Sequence, residues 1–233
     1  MLYNAVGMLS SIFFIGCLFG LVDQLRRIKK RKTDGLSTVS GYATQSISAN
    51  AFFSSFIAFY AFFLYSIMLD DVEYYMLVTR FFAASMTLFI LYEIYIDRDS
   101  ISQKVPFFTG LVCMAIACIA FLYREDVLVI GRSTSIALAL GATLVMLQGG
   151  IQQIRKIHKE KTTGVLSLPM NTVFMCKDLA NVAFGLVLGF TDGWPLLLLG
   201  TISALLKLGI IIQFFYYRKR CEDNTKRRQS SAM

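Results

Sequence analysis

An ammonium, a carboxylate and a carboxamide stand at Lys177, Asp178 and Asn181, inside the otherwise apolar stretch 165–189. On a helix, Asn181 lies four residues past Lys177 and three past Asp178, so it extends the polar face of both. Lys177 and Asp178 themselves point about 100° apart, so each is expected to meet a group on another helix or a wet cavity. A charge at the centre of a bilayer costs about 2.5–3.5 kcal/mol, so submerged ionisable groups mark a solute or ion path or a structural pair between helices. Arg80 and Lys207 are two further cations within apolar stretches. Their long stems can reach either a cavity or the membrane interface. Asn50 is a weaker polar candidate in a neighbouring uncharged stretch. Asp178 is the one carboxylate near the middle of any stretch and is therefore the candidate for proton coupling, since Glu93 falls near the end of its own.

Other chemistry is poorly supplied. His158 is the single histidine, which excludes a His-based metal site or catalytic triad. The five cysteines form no CxxC pair and are odd in number, against a disulfide framework. No nucleophile–base pair or phosphate loop is present, so the reading is a non-enzyme with no cofactor. Phe52, Phe56, Tyr60, Phe184 and Trp194 can stack on a ring-shaped solute, although packing is the default for each.

These residues need helices to hold them in lipid. Hydrophobic residues make up 56% of the chain and charged ones 16%, with mean hydropathy +0.59, against about 25% charged in soluble domains. A span needs about 20 apolar residues. Seven stretches qualify, roughly 5–22, 41–66, 75–96, 106–123, 133–151, 165–189 and 195–217. The chain is an all-α polytopic membrane protein. Lysine and arginine cluster in 23–40, 97–105, 152–164 and the tail from Arg218, whereas the opposite set of connections holds only Arg124 and Arg132. Such bias places the N-terminus outside or in a lumen and the C-terminus in the cytosol. The net charge of +8 thus reads as a topology signal beside anionic lipid rather than as a nucleic-acid face. The tail is expected to lack order.

A repeat organises the spans. DQLRRIKKRKTDG, Asp23 to Gly35, and QQIRKIHKEKTTG, Gln152 to Gly164, each follow an apolar run, and seven positions agree at an offset of 129. They include Gln24 with Gln153, Arg26 with Arg155, and Gly35 with Gly164. A Leu-Ser pair follows each copy (Leu36-Ser37, Leu166-Ser167). Three spans then belong to each copy and the fourth has no counterpart. That fourth span gives both copies the same orientation, a parallel repeat. The expected organisation is 3+1+3: a first bundle over 1–97, a linker helix in 98–130, a second bundle over 131–217 and a basic tail from 218 to 233. Ser46, Ser48, Ser54, Ser55, Ala180 and Ala183 suit close helix packing.

A Gln at the end of an apolar helix, a basic stretch, then Lys-Thr-x-Gly and Leu-Ser, resembles the PQ-loop motif. The chain resembles the PQ-loop/SWEET-like transporter clan over nearly its whole length. The resemblance implies a site for a sugar or an amino acid between the two bundles, with Gln24 and Gln153 at the motif gates. The Lys-Thr-x-Gly wording is closer to the cystinosin side of the clan. Two departures stand out. Asp23 and Gln152 replace the motif proline, which serves as a hinge in the family; either can hydrogen-bond neighbouring backbone. The family's sugar-contacting Asn is replaced by Thr79 and Arg80 in one unit and by Gly200 and Thr201 in the other. The expected function is therefore alternating-access transport of a small polar solute, with Lys177, Asp178, Asn181, Asn50, Arg80 and Lys207 as solute-binding candidates. The alternative is a membrane receptor of KDEL-receptor type that binds a peptide without solute flux. Homo-oligomerisation and the choice between plasma membrane and endolysosomal membrane stay open.

Overall fold

The computed structural model describes residues 2–33, 41, 43–44, 49–98, 101–160 and 168–230. Seven helices occupy them: α1 Leu2–Thr33, α2 Ala49–Ile67, α3 Tyr74–Arg98, α4 Ile101–Leu122, α5 Arg124–Glu160, α6 Leu168–Val187 and α7 Phe190–Ser230. Among the described residues there is no strand. Five helices are long and apolar enough to cross a membrane, and α2 adds the shorter apolar run Phe52–Ile67. The chain is an all-α polytopic membrane protein.

The cationic repeats are largely helix rather than loop. α1 continues through Lys30, Arg31 and Lys32, and α5 through His158 and Lys159. No Gly or Pro interrupts either segment before Gly35 and Gly164, and cations are favourable at the carbonyl end of a helix. Asp23 accepts a hydrogen bond from Arg27 one turn on, at 2.7 Å, rather than bonding backbone. The tail is also helical, since α7 runs to Ser230; residues 218–230 lack Gly and Pro and are rich in Lys and Arg, which favour helix. Gly35, Leu36, Ser37, Ser46, Ser48, Lys161, Thr162, Gly164, Leu166 and Ser167 lie outside the described residues.

The chain divides into two compact units, Met1–Ala142 and Thr143–Met233, with the division inside α5. In the first unit α3 packs on α1, α2 and α4. Its buried residues Met76, Thr79, Arg80, Ala83, Ala84, Thr87, Ile90, Leu91 and Ile94 recur every three or four positions, the stripe of a helix with one covered face. Phe56, Tyr60 and Ile67 of α2, Met68 just past its end and the small Ala117 of α4 share that core.

Two ties hold α1 to α3. At the start of α1, Tyr3 donates to the Glu73 carboxylate, and its ring meets Tyr75 edge-on at 5.7 Å. Gly7 makes room: a Cβ there would lie 2.6 Å from the Tyr75 ring. Glu73 also caps α3, its carbonyl accepting from Leu77 at 2.8 Å and its carboxylate from Tyr75 N–H at 3.3 Å. At the other end Lys32 pairs with Glu93. Beside it the Asp97 carboxylate accepts from the amide and hydroxyl of Thr44, at 2.9 and 2.7 Å, and Arg98 binds the same Thr44. Gly41, at φ +81°, closes the segment by donating to the Asp97 carbonyl.

Arg124 and Arg132, the two cations outside the four basic clusters and the apolar stretches, are both engaged in this unit. Arg124 donates to the carbonyls of Ile67 (2.8 Å), Leu69 and Asp70, satisfying groups that the end of α2 leaves open. Arg132 pairs with the Asp70 carboxylate at 2.9 Å.

In the second unit α6 and α7 form a tight hairpin about Gly189, whose φ of +87° suits glycine. The part of α5 after Ala142 joins α7 through Ile154, Ile157, Ile210, Phe214 and Tyr217. Gln213 donates to the Ile154 carbonyl at 3.2 Å, and the Tyr217 hydroxyl sits 3.1 Å from Nδ1 of His158.

Burial pushes the Glu73 carboxyl above its ordinary range, against the lowering effect of its bonds to Tyr3 and Tyr75. A raised folded value means that protonation favours the fold: this contribution is complete below the unfolded value and is lost as pH rises through the folded one. Melting temperatures of wild type and Glu73→Gln, measured from pH 7 down to 4.5, should therefore shift in favour of wild type as pH falls. A difference independent of pH would contradict the burial argument.

Candidate functional site

The polar residues of α6 are held at mid-helix against α7, and what allows this is the absence of side chains between the two. A Cβ on Gly193 would lie 1.9 Å from the Gly185 carbonyl oxygen, and one on Gly200 would lie 2.9 Å from Val182 and 3.0 Å from the Asp178 carbonyl oxygen. Small residues at such positions let helix backbones approach in a membrane. Three residues beyond Gly200, Ser203 reaches α6 and donates its hydroxyl to Oδ2 of Asp178.

The other carboxylate oxygen, Oδ1, lies 2.7 Å from Nζ of Lys177. Lys177 and Asp178 thus pair with each other, contrary to the expectation from their angular separation. Four methylenes let the ammonium turn back across that angle, and a charged pair in a low-dielectric setting is strongly attractive. Asp178 is 2% exposed and Asn181 1%. They belong to the covered interior of the hairpin rather than to an open face. Lys177 is more accessible, with 19% of its side chain exposed.

Phe174, one turn before Lys177, joins the cluster. Its ring centroid is 5.9 Å from Nζ of Lys177 and 5.5 Å from Nζ of Lys207 on α7, so both ammonium groups sit within cation–π range of one ring. Of the sequence candidates, the fold brings together Lys177, Asp178 and Lys207, with buried Asn181 one turn along α6 from the pair.

The remaining candidates lie elsewhere. Arg80 is buried in the first unit, its guanidinium 3.7 Å from the centroid of Phe14 on α1, and Phe14 meets Phe59 of α2 edge-on at 5.9 Å. This is burial over an aromatic face rather than extension to an interface. Thr79 and Thr87, on the same stripe of α3, return their hydroxyls to the carbonyls of Tyr75 and Ala83 at 2.9 and 2.8 Å. Asn50 is exposed in the first turn of α2, and its carbonyl accepts from Ser54 at 2.9 Å. Gln24 and Gln153 are half-buried on α1 and α5. Both helices run unbroken through positions 23 and 152, where a proline would remove a backbone bond and kink the helix.

Ser203, Phe174 and Phe14 were not among the residues singled out from sequence. Phe174 had a usable signal, its i, i+3 spacing from Lys177. Ser203 had a fainter one, a hydroxyl three residues past Gly200 in a stretch of small side chains. Phe14 had none, because only packing reveals which of twenty phenylalanines meets Arg80. Among the described residues no group of His, Cys, Asp and Glu is arranged to hold a metal ion.

Comparison with solved structures finds a eukaryotic SWEET transporter, determined at 3.7 Å resolution, with a TM-score of 0.70. The match covers 94% of this chain and 97% of that one, at 12% sequence identity. The chain therefore has a SWEET-like fold. No family model matches the sequence, and no curated protein matches it.

If bare glycine is what seats Asp178 against Ser203, Gly200→Ala should destabilise the protein by about 1–3 kcal/mol through overpacking. Gly149→Ala, where an added Cβ meets nothing within 4 Å, should be neutral or slightly stabilising, since alanine favours helix over glycine by about 0.5–1 kcal/mol. Thermal unfolding in detergent compares them; equal melting temperatures would remove the close-approach argument.

Proposed function

We propose that this protein carries a small polar solute across a membrane by alternating access. The observation that supports it most is the SWEET-like fold over 94% of the chain, together with charged residues at mid-helix in α6 and α7. The duplicated PQ-loop-like segments, read as 3+1+3, supply the two bundles that such a cycle needs, with the N-terminus outside and the C-terminus cytosolic. Transport of this kind requires only that the bound solute stabilise two states differently. The family resemblance suggests a sugar or an amino acid. Lys177, Asp178, Asn181 and Lys207 are the proposed solute-binding group of the second unit and Arg80 that of the first, with Asn50, Gln24 and Gln153 as secondary positions. Uptake of labelled sugars and amino acids by reconstituted vesicles tests the proposal. Binding without net flux would favour a receptor instead.

Asp178 is our candidate for proton coupling. Protonating it would weaken its hold on Lys177 and leave Ser203 facing a neutral acid. The titratable groups of the two packed helices are Cys176 and Lys177 on α6 and, up to residue 217 of α7, Asp192, Lys207, Tyr216 and Tyr217. Asp178→Asn should abolish the pH dependence of uptake while leaving residual flux. A pH profile matching wild type would remove Asp178 from that role.

A further inference from the structure

We infer that the groove between α3 and α4 holds a sterol, a flat and rigid ring lipid with a single hydroxyl at one end. Such a site requires only that these helices lie in a bilayer, and it is independent of any solute path. Phe81, Ser85, Leu88 and Tyr92 of α3 and Phe107 and Leu111 of α4 line a cavity of about 370 Å³, within the size range of ligand sites. Apart from the hydroxyls of Ser85 and Tyr92, its lining carries no polar side chain. Gly110 lets the two helices come this close, since a Cβ there would lie 2.8 Å from Leu88.

Length favours a sterol. Phe81 and Tyr92 are eleven residues apart, about 17 Å along a helix, close to one leaflet of a hydrocarbon core about 30 Å thick. A sterol lies within one leaflet, its hydroxyl at the interface. Here the interface end is marked by Arg98, which binds Thr44, and by Lys104, whose ammonium is 5.8 Å from the Tyr95 ring centroid. Of the two lining hydroxyls, that of Tyr92 belongs to the residue nearer this end, and a phenol can donate to or accept from another hydroxyl. Past Phe81 a second cavity of about 380 Å³, lined by Phe63, Leu77 and Cys118 among others, leaves room for an apolar tail.

Rigidity separates a sterol from an acyl chain. Phe107 stacks on Tyr95 with centroids 5.6 Å apart and planes 8° from parallel, and Tyr92 meets Phe107 at 5.4 Å. These packed rings form a wall that is in place before any ligand arrives. A rigid ring system gives up little conformational freedom against it, whereas an acyl chain must freeze many rotatable bonds.

Sequence spacing agrees. Leu88, Tyr92 and Arg98 on α3, separated by three and five residues, fit a pattern proposed for cholesterol contact. Lys104, Phe107 and Leu111 on α4, separated by two and three, fit it in reverse with Phe in place of Tyr. Either pattern alone is short and weakly specific. In this fold their apolar and aromatic members, Leu88, Tyr92, Phe107 and Leu111, line one groove.

The test places the full chain in phosphatidylcholine vesicles with a diazirine-bearing cholesterol analogue and identifies crosslinked peptides by mass spectrometry. Label should concentrate between Phe81 and Tyr92 and between Phe107 and Met114. Unlabelled cholesterol should compete, and added phosphatidylcholine should not. Leu111→Trp, which fills the groove, should cut labelling about tenfold. Val112→Trp, at an exposed position outside the lining, should leave it at the wild-type level. Ser85→Leu narrows the same space from α3 should Leu111→Trp fail to fold. Label spread evenly over exposed apolar residues such as Phe19 and Leu205 would overturn the site, as would Leu111→Trp labelling equal to wild type. Competition by phosphatidylcholine would assign the groove to an acyl chain. Chain-to-chain crosslinks through the same peptides, without sterol label, would assign it to a second copy. Either result overturns the sterol.

Discussion

The close approach of α6 and α7 is the constraint on which the polar centre of this protein depends. Ionised groups in an apolar medium are tolerated only when partners satisfy them, and here the partners arrive because glycine occupies the crossing points. Gly185, Gly193 and Gly200 bring the helices together, Ser203 then reaches Asp178, and Asp178 fixes Lys177 beside Phe174. Each step needs the previous one. Bulk at Gly200 would move the hydroxyl before it touched any charge.

The first unit solves the same physical problem differently. Arg80 has an aromatic ring beneath its guanidinium, a planar cation well suited to that face. The unit's other charges are placed at helix ends, where carbonyls and amides are open: Arg124 on carbonyls at and just past the end of α2, Glu73 on a first-turn amide of α3, Asp97 and Arg98 around Thr44. Charge here serves mainly to close helix termini, whereas in the second unit it lies in mid-helix.

Much of this was legible in the sequence, for identifiable reasons. Long apolar runs are legible because lipid tolerates little else, so the seven helices overlap the seven apolar stretches, and five of them are long and apolar enough to cross a membrane. The mid-helix residues Lys177, Asp178 and Lys207 were legible because charge is rare in those apolar stretches. Helix ends are harder to read: polarity makes the basic segments of α1 and α5 look like connections, yet a helix can leave the membrane and continue. Angular separation points Asp178 toward another helix, where Ser203 meets it, but does not anticipate that the Lys177 side chain is long enough to turn back and pair with it. Ser203 and Phe14 depend on which helix faces which, and no periodicity within a single helix carries that information.

The pinning of α1 to α3 at both ends has a mechanical consequence. α1 is 32 residues long, about 48 Å at 1.5 Å per residue, without a proline to bend it. One fastening is a tyrosine–glutamate contact beside two edge-on rings, and the other is a lysine–glutamate pair. A stiff rod fastened at two distant points moves with its neighbour as one plank. Sliding or tilting of α1 against α3 must first undo a fastening, so these joints set which internal rearrangements of the unit are slow.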